Sequence, residues 1–64
     1  MTIPHRSAYG FRVLTLRRRV AGWEIVARFG GKRYRRYWVE ADCPSRQKLR
    51  ADFQARPECW ADVG

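Results

Sequence analysis

From position 23 to 39 the chain reads Trp-Glu-Ile-Val-Ala-Arg-Phe-Gly-Gly-Lys-Arg-Tyr-Arg-Arg-Tyr-Trp-Val, two β-type runs on either side of Gly30-Gly31. A two-residue turn of primed geometry needs positive φ at both central positions, so a glycine pair there predicts a tight hairpin. With Gly30-Gly31 as the loop, Phe29 faces Lys32, and the pairing runs on from 28 with 33 to 23 with 38. Side chains alternate across a strand, which sorts these residues onto two faces. One face carries Trp23, Ile25, Ala27, Phe29, Tyr34, Arg36 and Trp38. The other carries Glu24, Val26, Arg28, Arg33, Arg35 and Tyr37. The first is largely apolar and the second holds three arginines, the pattern of a half-buried antiparallel sheet.

An earlier run, 11–19, reads Phe-Arg-Val-Leu-Thr-Leu-Arg-Arg-Arg and extends the same scheme. A connection at Val20-Ala21 sets Arg18 against Trp23, Leu16 against Ile25 and Leu14 against Ala27. Leu14 and Leu16 then join the apolar face. Val13, Thr15 and Arg17 join the basic face, with Arg17 opposite Glu24 as a favourable cross-strand charge pair. Val-Ala is a poor tight turn, so a longer loop than these two residues is expected, and a slip of one residue in this strand would exchange its two faces.

After Val39 the pattern changes. The segment 40–44 is a connection, and Ser45 to Arg56 holds no Gly, Pro or β-branched residue and is rich in helix formers. Leu49 and Phe53, four apart, face the sheet together. Asp42 and Ser45 are the candidate N-caps, and Pro57 ends the helix because it cannot donate the required hydrogen bond. Residues 58–61 read as one further turn that packs Trp60 against an open sheet edge. The expected fold is therefore α+β: a three-stranded antiparallel sheet packed against one C-terminal α-helix (βββα). The chain divides into a flexible N-terminal arm at 1–10, one sheet-plus-helix domain at 11–61 and a tail at 62–64.

A single domain of 64 residues buries roughly 60% of the surface its unfolded chain exposes, so large aromatics must supply much of its core. Trp23, Phe29, Tyr34, Trp38, Phe53 and Trp60 are the candidates, and a deep catalytic pocket would compete with them for the same interior. The net charge of +8 is unevenly spread. Residues 1–39 carry ten Lys or Arg against one acid, a net of +9, whereas residues 40–64 carry four against five, a net of −1. Basicity confined to the sheet and arm is the mark of an anion-binding surface rather than of general solubility. Twelve of the fourteen cations are arginine, which grips phosphate and guanine edges in bidentate fashion. No apolar stretch has the length of a signal peptide or a membrane span, so a cytoplasmic, bacterial or phage-encoded protein is expected.

Catalytic and metal chemistry find little support. Cys43 and Cys59 are the two cysteines, and with His5 they fall short of the four close ligands of a structural zinc site. Free thiols, buried or half-buried, are the default for them, with a disulfide as the alternative. His5 lies in the arm without triad partners. Glu40 and Asp42 suit the start of a helix, and Asp52 falls four residues after Lys48 as a surface pair. Gly30-Gly31-Lys32 lacks the spacing and following helix of a phosphate loop. No catalytic residue, cofactor, metal or small-molecule substrate is expected.

The basic face carries the functional signal. A ribbon or small sheet is thin enough to enter the roughly 12 Å major groove, where Arg17, Arg28, Arg33 and Arg35 can read guanine. Thr15 approaches a base or phosphate there, and Tyr37 stacks or donates to a phosphate. Lys32 at the turn, with Arg18 and Arg19 at the opposite edge, is suited to hold the flanking backbones. Arg36 falls on the apolar face and must snorkel to the edge or stack on Trp23 or Trp38. The plainer reading is a solvated face whose arginines guard the sheet against edge-to-edge association.

The segment "WEIVARFGGKRYRRYW", with the linker and helix that follow, resembles the arm-type N-terminal DNA-binding domain of tyrosine recombinases, and is similar to the plant ethylene-response-factor domain. The resemblance implies a three-stranded sheet seated in the major groove, with DNA contacts from Arg28, Lys32, Arg33 and Arg35 around the glycine turn. It further implies, for a chain with no catalytic domain after it, a phage or mobile-element accessory or regulatory factor. Double-stranded DNA is thus the expected partner. Double-stranded RNA, or an acidic protein surface docked by a phage-type adaptor or inhibitor, are the alternatives.

Overall fold

The computed structural model describes residues 10–64, so the expected arm, apart from Gly10, lies outside the described residues. The elements run β1 (Arg12–Arg19), β2 (Gly22–Phe29), β3 (Lys32–Trp38), α1 (Arg46–Ala55), a 3₁₀ turn (Pro57–Cys59) and β4 (Ala61–Asp62). The sheet order is β1-β2-β3-β4, with every neighbouring pair antiparallel. The class is α+β, and the sheet has a short fourth strand that the sequence did not announce. Gly30 (φ 61°) and Gly31 (φ 80°) both take the positive φ of the primed turn, and β2 and β3 pair in the expected register from Phe29↔Lys32 to Trp23↔Trp38.

The connection between β1 and β2 is the two-residue Val20-Ala21 and not the longer loop expected, with Arg19 paired to Gly22. Neither Val20 nor Ala21 has positive φ; that conformation falls on Gly22, at 142°. A Cβ on Gly22 would overlap the carbonyl oxygen of Trp38 on β3, so glycine is required both by backbone angle and by the close approach of strands. From Arg19 back to Thr15 the register is as expected, with Arg17 opposite Glu24 and Leu16 opposite Ile25.

Between Val13 and Thr15 the register shifts: Thr15 pairs with Val26, Val13 pairs with Ala27 and Arg12 pairs with Arg28, leaving Leu14 as a β-bulge. The extra residue reverses the faces of everything before it. Val13, expected on the basic face, packs against the core with Phe11, and Leu14, expected in the core, is 43% exposed. The physical reason is that Phe11 and Val13 together offer the core more apolar surface than Leu14 alone, and one extra residue brings both inward without moving Leu16.

Helix α1 covers the apolar face. Ser45 caps it by accepting from the Lys48 amide at 3.1 Å, and Leu49 and Phe53 are its buried residues. Phe53 is the hub of an aromatic cluster, with ring centroids 5.0 Å from Phe11, 5.2 Å from both Phe29 and Tyr34, and 5.6 Å from Trp60. Ile25, Ala27 and Leu49 are fully buried beside it. Pro57 ends α1 as expected and opens the 3₁₀ turn that delivers Trp60 into the core. Residues 62–64 are no free tail: Ala61 and Asp62 pair with Arg35 and Tyr34, and the Val63 amide donates to the Arg33 carbonyl at 2.8 Å. Burying Trp60 turns the chain back along β3, whose open edge offers unpaired backbone groups.

Arg36 resolves in a way that also reassigns Asp52. Its Nε donates to Asp52 Oδ2 at 2.7 Å, and its guanidinium lies over the Trp38 ring at 5.0 Å. The same Oδ2 accepts from Trp60 Nε1 at 3.0 Å. Asp52 thus faces the sheet rather than pairing with Lys48 on the surface, because a cation on the covered face needs a carboxylate above it. Trp23 Nε1 donates to the Ala41 carbonyl at 3.2 Å, fastening the connection before α1. Trp38 Nε1 is buried without an acceptor.

Two substitutions test this architecture by urea denaturation. Gly22→Ala should lose at least about 2 kcal/mol through positive φ and overlap with β3. Asp52→Ala should lose about 2–3 kcal/mol by stranding Arg36 and Trp60, whereas Lys48→Ala stays within about 0.5 kcal/mol.

Candidate nucleic-acid interface

The face of the sheet away from α1 is ordered in cross-strand rows. At the Gly30-Gly31 end, Arg12, Arg28 and Arg33 stand side by side on β1, β2 and β3. The next row is Thr15, Val26 and Arg35, with Ala61 of β4 beyond it, and the third is Arg17, Glu24 and Tyr37. Arg19 follows Arg17 on the same side of β1. Directly opposed residues on antiparallel strands have Cβ atoms about 5 Å apart, so each row is a contact set. The face carries six arginines against one acid, and Tyr37 is 55% exposed on it.

Glu24 is surrounded rather than paired once. Its Oε1 accepts from Arg19 Nη2 at 2.7 Å and Nε at 3.0 Å, and its Oε2 lies 3.9 Å from Arg35 Nη1. The ion pair expected of Arg17 is therefore made by Arg19, although Arg17 is the residue directly opposite. Arg35 also lies over the Tyr37 ring at 5.7 Å. Among the described residues, no acid or ring engages the guanidinium groups of Arg12, Arg17, Arg28 or Arg33. These four carry their charge without an acid partner, and Arg12, Arg28 and Arg33 do so directly opposite one another, in spite of the repulsion between like charges.

Sequence reasoning found Thr15, Arg17, Arg28, Arg33, Arg35 and Tyr37, and the fold brings all six to this face. Two residues assigned to the flanking backbones stand elsewhere. Lys32 alternates to the covered side, where it lies 3.6 Å from Asp62, and Arg18 turns to the same side with its guanidinium 5.2 Å over Trp23. Arg19 is on the basic face but committed to Glu24. Arg12 was missed. Only the bulge at Leu14 places it beside Arg28, and its signal was the adjacent Val13-Leu14 pair, which breaks the strict alternation.

Cys43 and Cys59 are free thiols, both exposed, where buried or half-buried positions were expected; the connection and the 3₁₀ turn that carry them lie at the surface. Among the described residues no group of three or more His, Cys, Asp or Glu side chains stands close enough to hold a metal ion. Nor is any described helix long and apolar enough to cross a membrane. Comparison with protein-family models, with curated proteins and with solved structures returns no match for this chain.

The repulsion within the first row has a measurable consequence without any ligand. Arg28→Thr should raise stability by about 0.5 kcal/mol in low salt, where the charges interact most strongly. Thermal unfolding at about 1 M NaCl, where the screening length falls to about 3 Å, should show most of that gain gone.

Proposed function

We propose that this protein binds double-stranded DNA through the uncovered face of its sheet. The observation that carries the reading is the set of four arginines, Arg12, Arg17, Arg28 and Arg33, presented without acid partners on one face. Unpaired guanidinium groups held in a row are repulsive alone and favourable against a line of phosphates, which is the opposite of what a stability-driven surface selects. Arg28 and Arg33 supply phosphate or guanine contacts, Arg17 and Thr15 contact from β1, and Arg35 with Tyr37 forms a charged and aromatic step beside them. Glu24 holds Arg19 and limits Arg35, so these two contribute less than the unpaired four. The resemblance to the arm-type domain of tyrosine recombinases supports the same face and the role of an accessory or regulatory factor of a phage or mobile element.

Titration of labelled duplex DNA at two salt concentrations tests this. Affinity should fall as salt rises, with a slope of log K against log salt near −0.9 for each phosphate contacted. The double variant Arg28→Ala/Arg33→Ala should bind at least about tenfold more weakly, while Arg56→Ala at the far end of α1 stays close to the parent. Equal effects of the two, or a flat salt response, sink the sheet-face reading. A preference for a matched RNA duplex, or nuclease-insensitive capture of an acidic protein, transfers the face to that partner.

A further inference from the structure

The basic row at the hairpin end does not stop at the edge of the sheet. Beyond Arg12 lies a cleft of about 510 Å³ between the bulged start of β1 and the first turns of α1, lined by Phe11, Arg12, Val13, Leu14, Arg46, Gln47 and Arg50. Arg46 and Arg50 are four apart on the helix, so they share a face, and that face looks on the cleft. Like charges at this spacing oppose helix formation, and Arg46 also stands where the helix dipole disfavours a cation. The first turn of α1 carries no acid, and none lines the cleft. Among the described residues neither Arg46 nor Arg50 has an acidic partner. Arg12 belongs to both features: it closes the row of Arg28 and Arg33, and it lines the cleft.

Arg33, Arg28, Arg12, Arg46 and Arg50 therefore make one continuous track. It crosses the three long strands at right angles, passes over the outer edge of β1 and ends on the helix. Two inter-strand steps of about 4.8 Å separate Arg33 from Arg12, so the part on the sheet is about 10 Å long. A compact anion would meet only a few of these groups, whereas a charged chain can meet all of them in turn. On the basis of the DNA-binding reading above, we infer that one sugar–phosphate backbone of the duplex lies along this track. The strands then enter the groove end-on from that backbone. Arg17, Arg35 and Tyr37, further from the hairpin turn, face base edges, while the five track arginines fix the register on phosphate. The bulge at Leu14 has a functional reading in this arrangement: without it Arg12 would point at the core and the track would break at β1.

Phosphate contacts add to the salt slope, and this gives the test a readout that a merely structural role would not move. In the duplex titration, Arg12→Ala and Arg50→Ala should each reduce the magnitude of the slope by about 0.9 and weaken binding to unrelated sequences by the same factor. Arg12→Lys, which keeps the charge, should restore most of the slope. Circular dichroism and the urea midpoint establish that each variant is folded. If Arg33→Ala lowers the slope while Arg12→Ala and Arg50→Ala leave it at the parental value, the track is overturned and sheet-face binding stands. If the parent protein does not bind duplex DNA, both readings fall together.

Discussion

The described residues form one α-helix, and one helix covers one face of a sheet. Every other assignment in the molecule follows from that limit. The residues beneath α1 must be apolar or individually satisfied, and the aromatic cluster centred on Phe53 supplies the apolar part. The opposite face has no cover within the described residues, so charge can accumulate there without desolvation. Six arginines on that side are tolerable because no described part of the chain lies over them. The two faces differ in chemistry because they differ in what they can afford to leave in contact with solvent.

The covered face contains one exception, and it is informative. Arg36 lies beneath the helix, where its alternation places it, and it is satisfied by Asp52 above and the Trp38 ring beside it. Since Asp52 also accepts from Trp60, one carboxylate joins the sheet, the helix and the C-terminal segment. These are three pieces of chain that nothing in local propensity would bring together. A half-buried carboxylate serving two donors constrains geometry more than a methyl group of equal size, because hydrogen bonds are directional and dispersion is not.

The second hairpin was legible in full, because a glycine pair fixes turn type, turn type fixes register, and register fixes faces. The helix was legible from Leu49, Phe53 and Pro57. What escaped reading had long-range causes. Val13 and Leu14 were misplaced, and Arg12 was missed, because the bulge is decided by the apolar surface that Phe11 and Val13 find in the core. Asp52 was read against Lys48, its neighbour on the helix, when its partner came from β3. Strand β4 is two residues long, and nothing in Ala61-Asp62 marks it as a strand; it exists because Trp60 is anchored and β3 has an edge to offer. The basic face was largely readable for the same reason as the hairpin, while the cleft that joins it to the helix was not.

Leu14 carries a consequence of a different kind. Its side chain points at solvent, and the extra backbone residue it adds is taken up by the bulge rather than by the ladder. Deleting Leu14 would leave Thr15 with Val26, Val13 with Ala27 and Arg12 with Arg28 as consecutive pairs of a regular ladder. The position is accordingly permissive toward identity and toward length. What is strict is the pairing on either side of it, since drawing Leu14 into the ladder would bring Arg12 under the helix and expel Phe11 and Val13 in one step.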